Sequence, residues 1–219
     1  MLLKFVDRFK KNREIRSIKV DRFEDSVAQK TSWGPLKQGG ASFGTHNLVE
    51  VSPRRLEFKP TVFAVILYLI FALVGFGMLG FVIYQEYQAG FAFETDFLFL
   101  VIGGIIFSAV GIILGYLGTK PIVFDREYGF YWKGRKKPNR DIEYSHPELF
   151  TPLNDIHALQ ILSEYVKGNK SSYYSYELNL VFRDGSRENV VDHGNLDKIR
   201  NDARKVSQFI NRPVWDTVI

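Results

Sequence analysis

Four histidines are the side chains of this sequence best suited to acid–base or metal chemistry: His46, His146, His157 and His193. Their spacing supports neither. No pair stands in an HxxxH arrangement, which would set two imidazoles on one helix face, and no cysteine is present to complete a zinc site. Asp192-His193-Gly194 has the composition of an acid–base pair. Adjacent residues of an extended chain point apart, so the tripeptide reads as a strand-to-helix turn. No GxSxG elbow, HExxH helix or paired-carboxylate pattern occurs. The sequence predicts no catalytic residue, no metal site and no cofactor, and a protein that is not an enzyme.

Glycine offers a second kind of chemistry. The stretch TSWGPLKQGGASFGTH over 31–46 carries Gly34, Gly39, Gly40 and Gly44, the composition of a loop that cradles phosphate. A phosphate loop also needs a preceding strand, a following helix and Gly-Lys-Ser/Thr, and these are missing. The stretch reads as a loop without nucleotide.

Charge offers a third. Lys133, Arg135, Lys136, Lys137 and Arg140 form the densest basic cluster of the chain. Each cation beside an anionic leaflet contributes about 1 kcal/mol of attraction, so these five are candidate lipid-surface contacts. The plainer reading is that they mark the cytoplasmic side of a membrane span. Tyr165, Tyr173, Tyr174 and Tyr176 surround a polar hairpin tip, where tyrosines suit either a protein contact or a wet sheet face. The basic excess is small and dispersed, which argues against nucleic acid.

The elements that must position these residues are dominated by two uncharged stretches, 61–84 and 97–118. Each is long enough, at ~1.5 Å rise per residue, to cross a ~30 Å hydrocarbon core. A mean hydropathy of −0.10 hides them, because charge is confined to the flanks. Arg54, Arg55 and Lys59 precede the first stretch, and Lys120, Arg126 and the 133–140 cluster follow the second. Between them lie Glu86, Glu94 and Asp96 and no basic residue. Positive charge stays in the cytoplasm, so both termini are expected there and the acidic connection outside. Neither stretch holds an Asp, Glu, Lys, Arg or His, which argues for an anchor rather than a transport path.

Gly104, Ser108, Gly111, Gly115 and Gly118 fall on one face of the second span, a ridge that lets another helix approach closely. Its partner is either the first span, through Ala72 and Gly75, or another subunit or copy of the chain. Residues 1–30 read as a basic amphipathic helix in which Leu2, Phe5, Val6 and Phe9 share a face that Phe23 and Val27 continue. It suits a membrane interface or a docking site on protein. Residues 48–51 and 56–58 read as short strands around Ser-Pro-Arg, within a 31–59 loop and hairpin. In the 120–219 region, strands are expected at 121–124, 129–132, 158–167, 173–182 and 187–191. Asp184-Gly185 supplies a tight turn, and Asn195 caps a helix to about 210.

The run IVFDREYGFYWKG, then YELNLVFRDGSRENVVDHG and a terminal RPVWD, resembles small bacterial inner-membrane proteins that pair a two-helix membrane hairpin with a PH-like cytosolic domain. The resemblance spans roughly 60–216 and carries no catalytic residues. It implies an α+β membrane protein: a transmembrane hairpin at 60–119 and a PH-like antiparallel β-domain with a C-terminal helix, in the inner (plasma) membrane. Seven strands are usual in such a domain, so the 47–58 hairpin is expected to join the later sheet, with the spans inserted between. The function expected is a membrane-anchored adaptor or scaffold whose domain contacts a protein partner or the anionic leaflet. The alternative is an accessory subunit of a larger membrane complex, docked through the ridge of the second span.

Overall fold

The structure, a computed structural model, describes residues 20–36, 39–40, 44–90, 97–139, 147–168 and 171–218. Most of the predicted N-terminal helix, Arg140 and His146 lie outside these residues. Over 20–30 the expected single helix is corrected. A 3-10 turn at Val20–Phe23 is broken by Glu24 at φ 48, and α1 (Ser26–Lys30) restarts with Asp25 as N-cap. Phe23 and Val27 pack against the β-domain, so their apolar face is protein-facing.

Strands β1 (His46–Ser52) and β2 (Arg55–Pro60) form the expected hairpin. The chain then runs into α2 (Val62–Gln88) and returns through α3 (Leu98–Gly118). Both helices are long and apolar enough to cross a membrane. Thr61 caps α2, its hydroxyl accepting from Ala64 N–H at 3.2 Å. The helix runs past the expected end at 84 because nothing breaks it before Gly90, at φ +71. Glu86, expected in the connecting loop, is therefore helical and buried.

After α3, β3 (Ile122–Asp125) pairs antiparallel with β2 and β4 (Phe130–Lys133) follows. β5 (Phe150–Pro152) completes a five-stranded sheet in the order β1-β2-β3-β4-β5. The helical pair is thus an insertion between two adjacent strands of one sheet. A second sheet, β8-β7-β6-β9, comprises β6 (Ile156–Lys167), β7 (Ser172–Phe182), β8 (Arg187–His193) and β9 (Val214–Asp216). Asp184-Gly185 makes the β7–β8 turn, with Gly185 at φ +86.

Helix α4 (Leu196–Ile210) buries Ile199, Ala203, Val206 and Phe209 in the core between the sheets. Leu56, Phe58, Phe124 and Tyr131 enter that core from the first sheet, and Leu159, Ile161, Leu178 and Leu180 from the second. Asn195 caps α4 and Asn211, in the left-handed region, ends it. β5 and β9 had no sequence expectation. Each is three residues long, too short for an alternating pattern to register.

Candidate functional site: a strapped polar sheet face

Alternation sends Leu159, Ile161, Leu178 and Leu180 into the core, so their neighbours Gln160, Glu164, Ser175, Glu177 and Asn179 face outward on β6 and β7. An outward row of this kind is ordinarily wet. Here Gln160, Ser175, Glu177 and Asn179 are all 0% exposed. Their cover comes from the described residues of the glycine-rich segment, 32–36 and 39–40, which lie against the face as a strap.

The strap is held by its main chain. Gln160 Nε2 donates to Ser32 O at 3.2 Å, Arg187 to Gly34 O at 2.9 Å, and Tyr173 OH to Gly40 O at 3.0 Å. In the other direction Leu36 N–H donates to Glu177 Oε2 at 3.0 Å. Gly39 and Gly40 N–H donate to the two oxygens of Glu164, each at 3.0 Å. Three carbonyls and three amides of the strap are thus read by side chains of the sheet. Behind them Asn179 donates to Glu177, Asn189 to Asn179 and Asp192, and Arg187 to Gln160. Burial draws the Arg187 guanidinium down from its ordinary value, and the Glu177 carboxylate opposes that.

The glycines follow from this geometry. Gly39 sits at φ +79, and a Cβ on Gly40 would overlap the Ser175 hydroxyl. A Cβ on Gly44 would overlap the His193 ring. Consecutive glycine amides do converge on an anion, as in a phosphate loop, but the anion is the Glu164 carboxylate of the same chain.

The strap's two ends are pinned differently. At its start, Phe23 stacks on Trp33 at 5.3 Å and Trp33 lies 5.9 Å from Trp215. Beside them Asp25 Oδ2 meets His157 Nε2 at 2.8 Å while Oδ1 caps α1. At its end, Thr61 donates to Gly44 O at 3.2 Å, tying the strap to the first turn of α2.

His46 and His193 flank that second end. Burial, reinforced by the Lys133 charge, holds His46 below its ordinary value of 6.5, against the hydrogen bond it makes with the Lys120 backbone. Burial and then Lys198 do the same to His193. The unfolded chain therefore binds protons near pH 6.5 that the folded chain refuses, so folding stability is full above 6.5 and falls as the pH drops below it. Melting temperature should decline between pH 6.5 and about 5, above the ordinary carboxylate range. A His46→Gln, His193→Gln variant should flatten the decline, and an unchanged slope would reject these two as its source.

The basic cluster is divided by the structure. Lys133 is 3.4 Å from Glu188 and donates to Asn189 O. Arg135 donates to Tyr116 O at 3.1 Å and Thr119 Oγ1 at 2.6 Å, at the end of α3. Lys136 and Lys137 are exposed. Of the tyrosines, Tyr173 serves the strap, while Tyr165 and Tyr174 pair at 5.2 Å on an exposed strand surface. His193 ends β8 and accepts from Asn195 N–H at 2.8 Å. No cluster of metal-ligating side chains occurs among the described residues.

The small-residue ridge faces α2. A Cβ on Gly104, Gly111 or Gly118 would overlap Leu79, Ala72 or Tyr68 respectively, and Gly115 lies more loosely over Tyr68, at 3.9 Å. Ser108 meets Gly75, where an added Cβ would overlap the Ser108 backbone nitrogen and hydroxyl. Compared with known protein families, curated proteins and solved structures, the chain matches none, so its own geometry carries the functional argument.

Proposed function

We propose that the chain is a non-enzymatic, membrane-anchored adaptor. In this reading α2 and α3 cross a bacterial inner membrane with both termini in the cytoplasm, and a PH-like β-domain meets a protein partner beside the bilayer. The insertion of α2 and α3 between paired strands supports the anchor, because the domain cannot swing on a linker. The observation that carries the adaptor role is the strapped face. Its side chains read main-chain carbonyls and amides of a crossing segment, and main-chain hydrogen bonds are also what give peptide recognition by β-sheets its affinity. An extended, glycine-containing segment of a partner takes the same hydrogen bonds when the strap gives way.

A labelled peptide of residues 31–40 tests this on the full-length protein in nanodiscs. It should bind weakly to the wild type and more tightly to Gly40→Ala, whose Cβ evicts the resident strap. Apparent affinity should improve about tenfold per 1.4 kcal/mol of strap destabilisation. No binding to either protein would show that the face is only a structural joint and would remove the adaptor reading. The alternative, docking on a larger complex through the ridge of α3, has lost its surface to α2 within the chain. Such docking would have to use the outward faces of the two helices instead.

A further inference from the structure

Two cations share one aromatic ring where α3 ends. The Arg135 guanidinium lies 5.0 Å from the Tyr116 ring centroid and Lys120 Nζ lies 5.6 Å from the same centroid. Tyr116 is 63% exposed. Neither cation has an ion-paired carboxylate among the described residues. Arg135 alone is explained by capping, since it satisfies the Tyr116 carbonyl at the negative end of the helix dipole. Lys120 is not. A second cation on the same ring adds repulsion that the ring offsets only in part, and two carboxylates of the domain, Asp125 and Glu188, are paired with Arg55 and Lys133 instead. Such a pair calls for an anion between its members.

We infer that Lys120 and Arg135, on the face of Tyr116, form a binding site for the phosphodiester of an anionic phospholipid. This rests on the membrane-anchored reading and goes beyond the peptide face. The last apolar turn of α3 sets the level, because Tyr116 and Thr119 stand where an apolar span gives way to charge. That is the depth at which tyrosines and headgroups meet. The site takes one headgroup phosphate in a fixed place, unlike the diffuse attraction of exposed Lys136 and Lys137.

The full-length protein in nanodiscs of phosphatidylcholine and phosphatidylglycerol, released and weighed by native mass spectrometry, tests the site. The wild type should retain a phosphatidylglycerol in preference to phosphatidylcholine. Lys120→Gln and Arg135→Gln should each reduce that preference about fivefold. Arg135→Lys, which keeps the charge, should keep most of it and so separates recognition from helix capping. Lys136→Gln with Lys137→Gln should change it less than twofold. Equal losses in all variants, or none, would overturn the site in favour of diffuse attraction. Displacement of the lipid by excess inorganic phosphate would overturn the lipid assignment and leave a free-anion site. Failure of the wild type to enter nanodiscs would instead refute the membrane reading, so the two failures are distinguishable.

Discussion

Gly75→Leu should separate the helical pair and cost the chain more than leucine at either of the other glycines of α2, Gly77 and Gly80. A Cβ at that position would overlap the backbone nitrogen and hydroxyl of Ser108 and crowd the carbonyl of Gly104. Backbone cannot turn aside as a flexible side chain can, so relief comes only from moving the helices apart. Overpacking typically costs ~1–3 kcal/mol, and this site belongs at or beyond the upper end because separation also loosens the contacts of Gly104 and Gly111. In a bilayer, as proposed, hydrocarbon would supply no hydrophobic drive to hold them together.

Internal controls sharpen the measurement. Gly77→Leu and Gly80→Leu, at sites with nothing within 4 Å, should be nearly neutral beyond intrinsic helix propensity. Ser108→Ala should also be mild, since that hydroxyl is buried without a hydrogen-bond partner. Thermal loss of helicity in detergent reads all four. A melting temperature for Gly75→Leu no lower than that of Gly77→Leu would show that the helices do not depend on this contact.

The same comparison explains what the sequence could show. Spacing alone puts Gly104, Ser108, Gly111, Gly115 and Gly118 on one face, because a helix has a fixed angular period. It leaves the partner open, because Ala72 and Gly75 become neighbours of that face only after the chain folds back. The insertion of the helices was legible for a related reason. Spans that begin and end on one side of a membrane leave two strands free to pair, and β2 and β3 do so.

The strapped face was not legible. Gln160, Glu164, Glu177 and Asn179 alternate with core residues just as solvent-facing residues would. Nothing local shows that residues more than a hundred positions earlier cover them. One signal is present, the surplus of glycine in 31–46, but a phosphate loop is not what it encodes. Glycine there serves close approach to Ser175 and His193, and its amides meet a carboxylate rather than a phosphate. The N-terminal stripe misled for the opposite reason. Phe23 and Val27 fit one helix face by periodicity, but positive φ at Glu24 breaks the helix and a capping aspartate restarts it.

Glu177→Ala should have the second large effect and should act on the strap itself. Glu177 is 0% exposed, and its Oε2 accepts from both Leu36 N–H and Asn179 Nδ2. Its charge also faces Arg187, which in turn holds Gly34 and Gln160. Truncation leaves those donors without their acceptor and the guanidinium without its counter-charge. Each orphaned buried group costs ~1–3 kcal/mol, so a loss of about 2–4 kcal/mol is expected in chemical denaturation. Glu177→Gln keeps an acceptor in place but removes the charge, and should fall between. Hydrogen exchange decides how the strap behaves. If residues 32–40 form one latch, Leu36, Gly39 and Gly40 amides should all lose protection in Glu177→Ala, although only Leu36 bonds to Glu177. Faster exchange at Leu36 alone would mean that Glu164 holds the glycine end independently. The strap would then open in two steps, and a partner segment would have to displace both carboxylates rather than one.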